Sequence, residues 1–193
     1  MSFFREARSF SSKVQETFRD HARDDICISL QNLGIDAQMA ERGRAEEKIR
    51  PRFIGGKSLG VIDIPDGPIG WINIHKSSTN VGGRDYLTEY GVPDPKLGPN
   101  SPKYRIKSTR VKNIPIVGRV VDLRWKGKDF GLGIIVRLNS DNSVKHSIMK
   151  SRNVTIRAHG DYRCWIISDR TRDAPSQELW NCYQAIAQHL LTE

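Results

Sequence analysis

Two stretches, Val154-Thr155-Ile156-Arg157-Ala158 and Tyr162-Arg163-Cys164-Trp165-Ile166-Ile167-Ser168, flank His159-Gly160-Asp161. Both are rich in β-branched and aromatic residues, and the link carries a glycine. The segment reads as an antiparallel hairpin with a three-residue loop. Pairing Ile156 with Cys164 and Val154 with Ile166 sets apolar against apolar. That register puts Arg157 opposite Arg163 and Thr155 opposite Trp165 on the outer face. Like charges directly opposite destabilise a sheet, so two facing arginines call for an anion or a carboxylate between them. A tryptophan beside them has the character of a stacking platform for unpaired bases.

Working outward, residues 118–125 and 130–138 alternate apolar and polar around Lys126-Gly127-Lys128-Asp129. They read as another hairpin, with Val121, Leu123, Leu132 and Ile134 on one face. Residues 58–64 and 69–76 form two short β-rich runs around the turn signal Pro65-Asp66-Gly67-Pro68. Residues 77–102 show little apolar periodicity and crowd Gly and Pro into 91–102, which reads as a long ordered loop or linker. At the C-terminus Leu179, Cys182, Tyr183, Ile186 and Leu190 recur at helical spacing over 175–191. At the other end three helices are expected, over 2–22, 24–33 and 37–49, with Gly34, Asp36 and Pro51 as their punctuation. The fold class is therefore α+β: an antiparallel sheet or small open barrel, with hairpins near 118–138 and 154–168 and a covering C-terminal helix. Residues 1–50 form an N-terminal helical region and 51–193 an α+β domain containing the loop 77–102.

Charge gives the strongest functional signal. The 193 residues carry 31 Lys and Arg against 22 Asp and Glu, a net +9. Residues 101–150 alone hold 12 basic and 3 acidic groups, while the other segments balance. A local excess of this size makes a field that attracts polyanions. Lys103, Arg105, Lys107, Arg110 and Lys112 lead the cluster, and Arg124, Lys126, Lys128 and Arg137 follow it. In an extended chain Lys103, Arg105 and Lys107 point to one side. With Arg157, Arg163 and Trp165 these residues make a candidate nucleic-acid surface, RNA or single-stranded DNA before duplex, because no helix has a basic recognition face. The expected protein is a cytoplasmic, non-enzymatic binder with neither cofactor nor metal. A solvated basic face without a ligand is the plainer alternative.

Other chemistry is weaker. Asp63, Asp66, His75 and Lys76 sit on neighbouring strands and their turn, where carboxylates and a lysine could act on a phosphate-bearing substrate. Residue 74, two before the lysine, is Ile74 and completes no nuclease pattern. Gly56-Lys57-Ser58 ends like a phosphate loop, but Pro51 occupies the position of its first glycine and the flanking order is reversed. Cys27, Cys164 and Cys182 have neither disulfide-framework nor metal-finger spacing. The N-terminal phenylalanines Phe3, Phe4, Phe10 and Phe18 form an apolar stripe flanked by arginines. It could mediate self-association, and an acidic partner or an anionic membrane is a further alternative. No apolar run approaches the ~20 residues of a transmembrane helix.

Overall fold

Helix α1 (Ala22–Asn32) starts with Asp24 and Asp25 in its first turn, where carboxylates favour the positive helix end. It stops at Gly34, which takes the left-handed conformation that glycine adopts freely. Ile26, Cys27 and Leu30 fall on one stripe and are buried. The structure, a computed structural model, describes residues 21–49, 56–78, 84–114, 118–150 and 153–192. The helix expected over 2–22, with its phenylalanine stripe, therefore lies outside the described residues save for its last two positions.

Among the described residues eight strands follow in one open antiparallel sheet: β1 (Gln38–Met39), β2 (Lys57–Asp63), β3 (Trp71–Ser78), β4 (Arg84–Pro93), β5 (Arg105–Lys112), β6 (Val120–Lys128), β7 (Thr155–His159) and β8 (Cys164–Asp169). Their spatial order is β1-β2-β3-β4-β8-β7-β5-β6. Helices α2 (Ile134–Ser140), α3 (Asn142–Lys150) and α4 (Gln177–Leu191) complete the α+β fold. The sheet does not close into a barrel: β1 and β6 remain its edges.

The four helices of the described residues cover one face. Ile72, Ile74, Tyr90, Val92, Ile106, Trp125, Ile156, Trp165 and Ile167 point towards them and are buried in a single cluster with α1 and α4. Helix α4 is capped by Ser176, whose Oγ accepts from Leu179 N at 3.3 Å. It presents the expected stripe to the sheet, stacks Tyr183 on Tyr90 at 4.3 Å and donates the Tyr183 hydroxyl to Asp169 Oδ2 at 2.7 Å. On the opposite face a smaller cluster of Ala40, Ile49, Val61, Trp71, Cys164 and Ile166 covers the β1–β4 half and β8. Gly91 is required there, because a Cβ would sit 1.9 Å from the Trp71 ring.

Four sequence expectations change. Residues 37–49 form not a helix but strand β1 and a 3-10 turn (Ala45–Lys48), because β1 pairs with β2 through Gln38–Asp63 and Met39–Ile62. The 77–102 stretch contains the central strand β4, whose alternation is masked because Thr88 and Glu89 are buried beside Leu87, Tyr90 and Val92. Residues 130–138 enter α2 rather than a strand: Ile134 and Leu138, one helical turn apart, are the buried pair, and β6 pairs with β5 instead. The 154–168 hairpin exists, but its link is longer. Gly160–Tyr162 makes a 3-10 turn and Arg163 adopts a left-handed conformation (φ 49°). The register therefore slips by three residues, giving Ile156–Ile167, Arg157–Ile166 and His159–Cys164.

Candidate nucleic-acid interface

An odd-numbered slip moves side chains to the other face. Trp165 accordingly points to the helices, 1% exposed, and donates its indole N–H to Asp94 Oδ2 at 2.9 Å. It is a core residue and not a stacking platform. Arg163 leaves the strand and donates to the Leu97 and Pro95 carbonyls, so it pins the 94–102 loop and does not face Arg157. Arg137 clamps the end of α4 through the His189 and Thr192 carbonyls at 3.0 and 3.1 Å. Arg110 belongs to the helix side, in a cleft of about 810 Å³ beside the start of α4. Lys112 is exposed beyond a β-bulge, at the far end of the β5–β6 ribbon. These five residues, Trp165, Arg163, Arg137, Arg110 and Lys112, do not form one surface with the others.

The remaining cations do. Arg105 and Lys107 alternate with the buried Ile106 and Ser108, so both project from the face away from the helices. Arg105 is directly opposite Lys128 in β6 and Arg157 in β7; Lys107 is directly opposite Lys126 and Thr155; Arg124 is opposite Thr109. The like-charge pairing expected between Arg157 and Arg163 is thus present between different residues. Arg105, Lys107, Arg124, Lys126 and Lys128 are all exposed. Arg124 lies 3.8 Å from Asp122, whose other oxygen pairs with Lys145 at 2.7 Å.

The basic rows continue into a buried polar centre. One row reads Asn73, Glu89, Ser168, Thr155, Lys107, Lys126 across six strands. Glu89 is fully buried, with Oε1 2.7 Å from Arg157 Nη2 and 3.3 Å from Ser168 Oγ. Its Oε2 lies 3.1 Å from His75 Nε2. A buried carboxylate is tolerable when paired and hydrogen-bonded in this way. Arg157 is therefore half structural and half surface: its side chain is 22% exposed, at the border between the covered and open halves of the face. Sequence reading missed Glu89 altogether. Its signal is distributed over partners 14, 68 and 79 residues away.

A groove of about 510 Å³ opens at that border. Lys103, Arg105, Arg157 and His159 line it, with Glu89 and Ser168 towards the sheet. Burial first, and then the Arg157 guanidinium, hold the His159 pKa below its ordinary value.

The alternative quartet is not assembled. Arg44 Nη1 donates to both Asp63 carboxylate oxygens, at 2.8 and 2.9 Å, and Asp66 is exposed in its turn. His75 sits at the other end of β3 against Glu89, and Lys76 faces the opposite side of the sheet from His75. The three cysteines are buried and unbridged, and burial pushes the Cys164 and Cys182 thiols up to about 12. Among the described residues no helix is long and apolar enough to cross a membrane.

Set against protein-family models, curated proteins and solved structures, the chain finds no match in any of the three.

Proposed function

We propose that the protein binds nucleic acid through the open face of β5, β6 and β7, with RNA or single-stranded DNA as ligand. The observation that carries this reading is the cross-strand stacking of like charges: Arg105 with Lys128, Lys107 with Lys126, and Arg105 with Arg157. Lysines on an edge strand have another use, since they prevent strand addition. That explains Lys126 and Lys128 on β6. It does not explain Arg105, Lys107 and Arg157, which occupy interior strands. The Arg105–Lys128 and Lys107–Lys126 pairs cost stability in the free protein, whereas Glu89 compensates Arg157, and a polyanion placed over the rows would remove that cost.

Spacing supports a strand-like ligand. Alternate residues of a strand lie about 6.7 Å apart and neighbouring strands about 4.8 Å apart, so the face offers a flat array of cations to an extended phosphate backbone. Among the described side chains, no helix offers a basic row to a duplex groove: Arg23 is buried, Arg137 clamps α4 and Lys145 pairs with Asp122. With Trp165 in the core, attraction comes from phosphates rather than base stacking, and little sequence preference is expected.

Fluorescence anisotropy with a labelled single-stranded oligonucleotide tests the reading. Binding should weaken steeply with salt, with log K linear in log[salt]. Absence of any interaction at about 50 mM salt would overturn it.

A further inference from the structure

The basic rows run into a wall. Beyond Arg105 and Arg157 the groove is lined by Pro99, Ser101 and Pro102 from one loop and by Gly160 and Asp161 from the β7–β8 turn. Loop and turn are locked together. A Cβ on Gly160 would lie 2.0 Å from the Gly98 carbonyl oxygen, a contact only glycine permits. Arg163 holds the Leu97 carbonyl at 3.2 Å, and Asp94 N donates to Arg163 O at 2.8 Å. A polymer lying along the cations reaches a rigid stop at this point.

Four cations line the groove at that stop, Lys103, Arg105, Arg157 and Arg170, against the carboxylates of Glu89 and Asp161. Lys103 and Arg105 line the groove, are exposed, and have no carboxylate partner among the described residues. Arg157 spends one amino group on Glu89, while its Nε is buried and meets no acceptor among the described residues. His159 lies on the same wall. A volume of about 510 Å³ falls within the range of small-ligand sites and suits one nucleotide. A terminal phosphomonoester carries about −1.5 to −2 at neutral pH and three acceptor oxygens, against a single charge on an internal phosphodiester. Three converging cations match the former better.

We propose that this groove receives the phosphorylated end of a bound strand, with Lys103, Arg105 and Arg157 contacting the terminal phosphate. The inference rests on the reading of the open face as a nucleic-acid interface. Its test is an anisotropy titration with one single-stranded, internally labelled oligonucleotide in four forms: 5′-phosphorylated, 3′-phosphorylated, hydroxyl at both ends, and covalently circular. One phosphorylated form should bind roughly ten-fold or more tighter than the hydroxyl-ended and circular forms, the effect of an added charge-assisted contact. The phosphate that gives the gain identifies the end that is held. Lys103→Ala should reduce this preference most, whereas Lys126→Ala should weaken all four probes by a similar factor. Equal binding of all four forms overturns the end site and leaves the interface reading standing. A preference that persists undiminished in Lys103→Ala overturns the assignment to this groove. Failure of every form to bind overturns both readings.

Discussion

Arg105 of β5 stands directly across from Arg157 of β7 on one side and from Lys128 of β6 on the other. Three cations therefore share one row of an open sheet face. Glu89 compensates only Arg157, from beneath, at 2.7 Å. Arg105 and Lys128 meet the solvent without a carboxylate partner among the described residues, so the row carries positive charge in excess on the open face.

Replacing Arg105 with Thr removes both repulsions and adds a good strand former. The free protein should become slightly more stable, by a few tenths to about 1 kcal/mol. Binding should weaken by about 1.5–3 kcal/mol, the worth of a charged hydrogen bond. Thermal melts with and without a single-stranded oligonucleotide read both signs. A large drop in the melting point of the free variant would make Arg105 a structural residue.

Glu89→Gln should act in the opposite way. It leaves the Arg157 guanidinium without its buried counter-charge and changes what His75 faces at 3.1 Å. Breaking one side of a buried pair costs about 3–5 kcal/mol, so the urea midpoint should fall markedly. An unchanged midpoint would show that Glu89 does not hold Arg157 in place.

The double variant Lys107→Ala/Lys126→Ala removes one cross-strand pair. On a single strand each lost phosphate contact lowers the slope of log K against log[salt] by about 0.7, so the pair should reduce it by about 1.4. An unaltered slope would place the ligand off this row.

Binding should also depend on pH through His159. Burial and then Arg157 lower its pKa in the free protein, with Asp161 and Glu89 opposing them, which favours the neutral ring. A phosphate beside the ring would raise that pKa, so binding takes up a proton. Affinity should rise as pH falls through the pKa of the complex and level off below the lower pKa of the free protein. Calorimetry in buffers of different ionisation enthalpy measures the uptake, and His159→Asn should abolish it.

The thiols give a control on the fold. With Cys164 and Cys182 pushed up to about 12 and Cys27 also raised and buried, the native protein should resist a disulfide reagent that modifies all three cysteines after unfolding. Rapid labelling of the native chain would contradict the burial of these residues.

Legibility from sequence followed locality. The β2–β3 pair was readable from Pro65-Asp66-Gly67-Pro68, and α4 from its five-residue stripe, because both signals lie within one element or its turn. Residues 130–138 misled because Ile134 and Leu138 satisfy a period of two and a helical turn at once; Val136, which fits only the period of two, is left 68% exposed by the helix. Strand β4 was hidden because its inward polar residues meet partners remote in sequence, such as Glu89 with Arg157 and Thr88 with the Thr171 carbonyl. The basic face was legible as a run of alternating cations at 103–107. Its composition depended on the turn after β7, where one left-handed residue, Arg163, shifted the register and exchanged Trp165 for Arg105 as the neighbour of Arg157.

Strand β6 is one edge of the sheet; Asn139 of α2 caps its middle, accepting from Trp125 N at 2.8 Å and donating to Trp125 O at 3.0 Å, and Lys126 and Lys128 follow along the same strand. Two copies approaching by this edge repel each other. A polyanion bound as proposed would cancel that repulsion and tie the protein's colloidal behaviour to its loading. Mixtures should stay clear with either component in excess and turn cloudy near charge equivalence, where the neutralised complexes no longer repel.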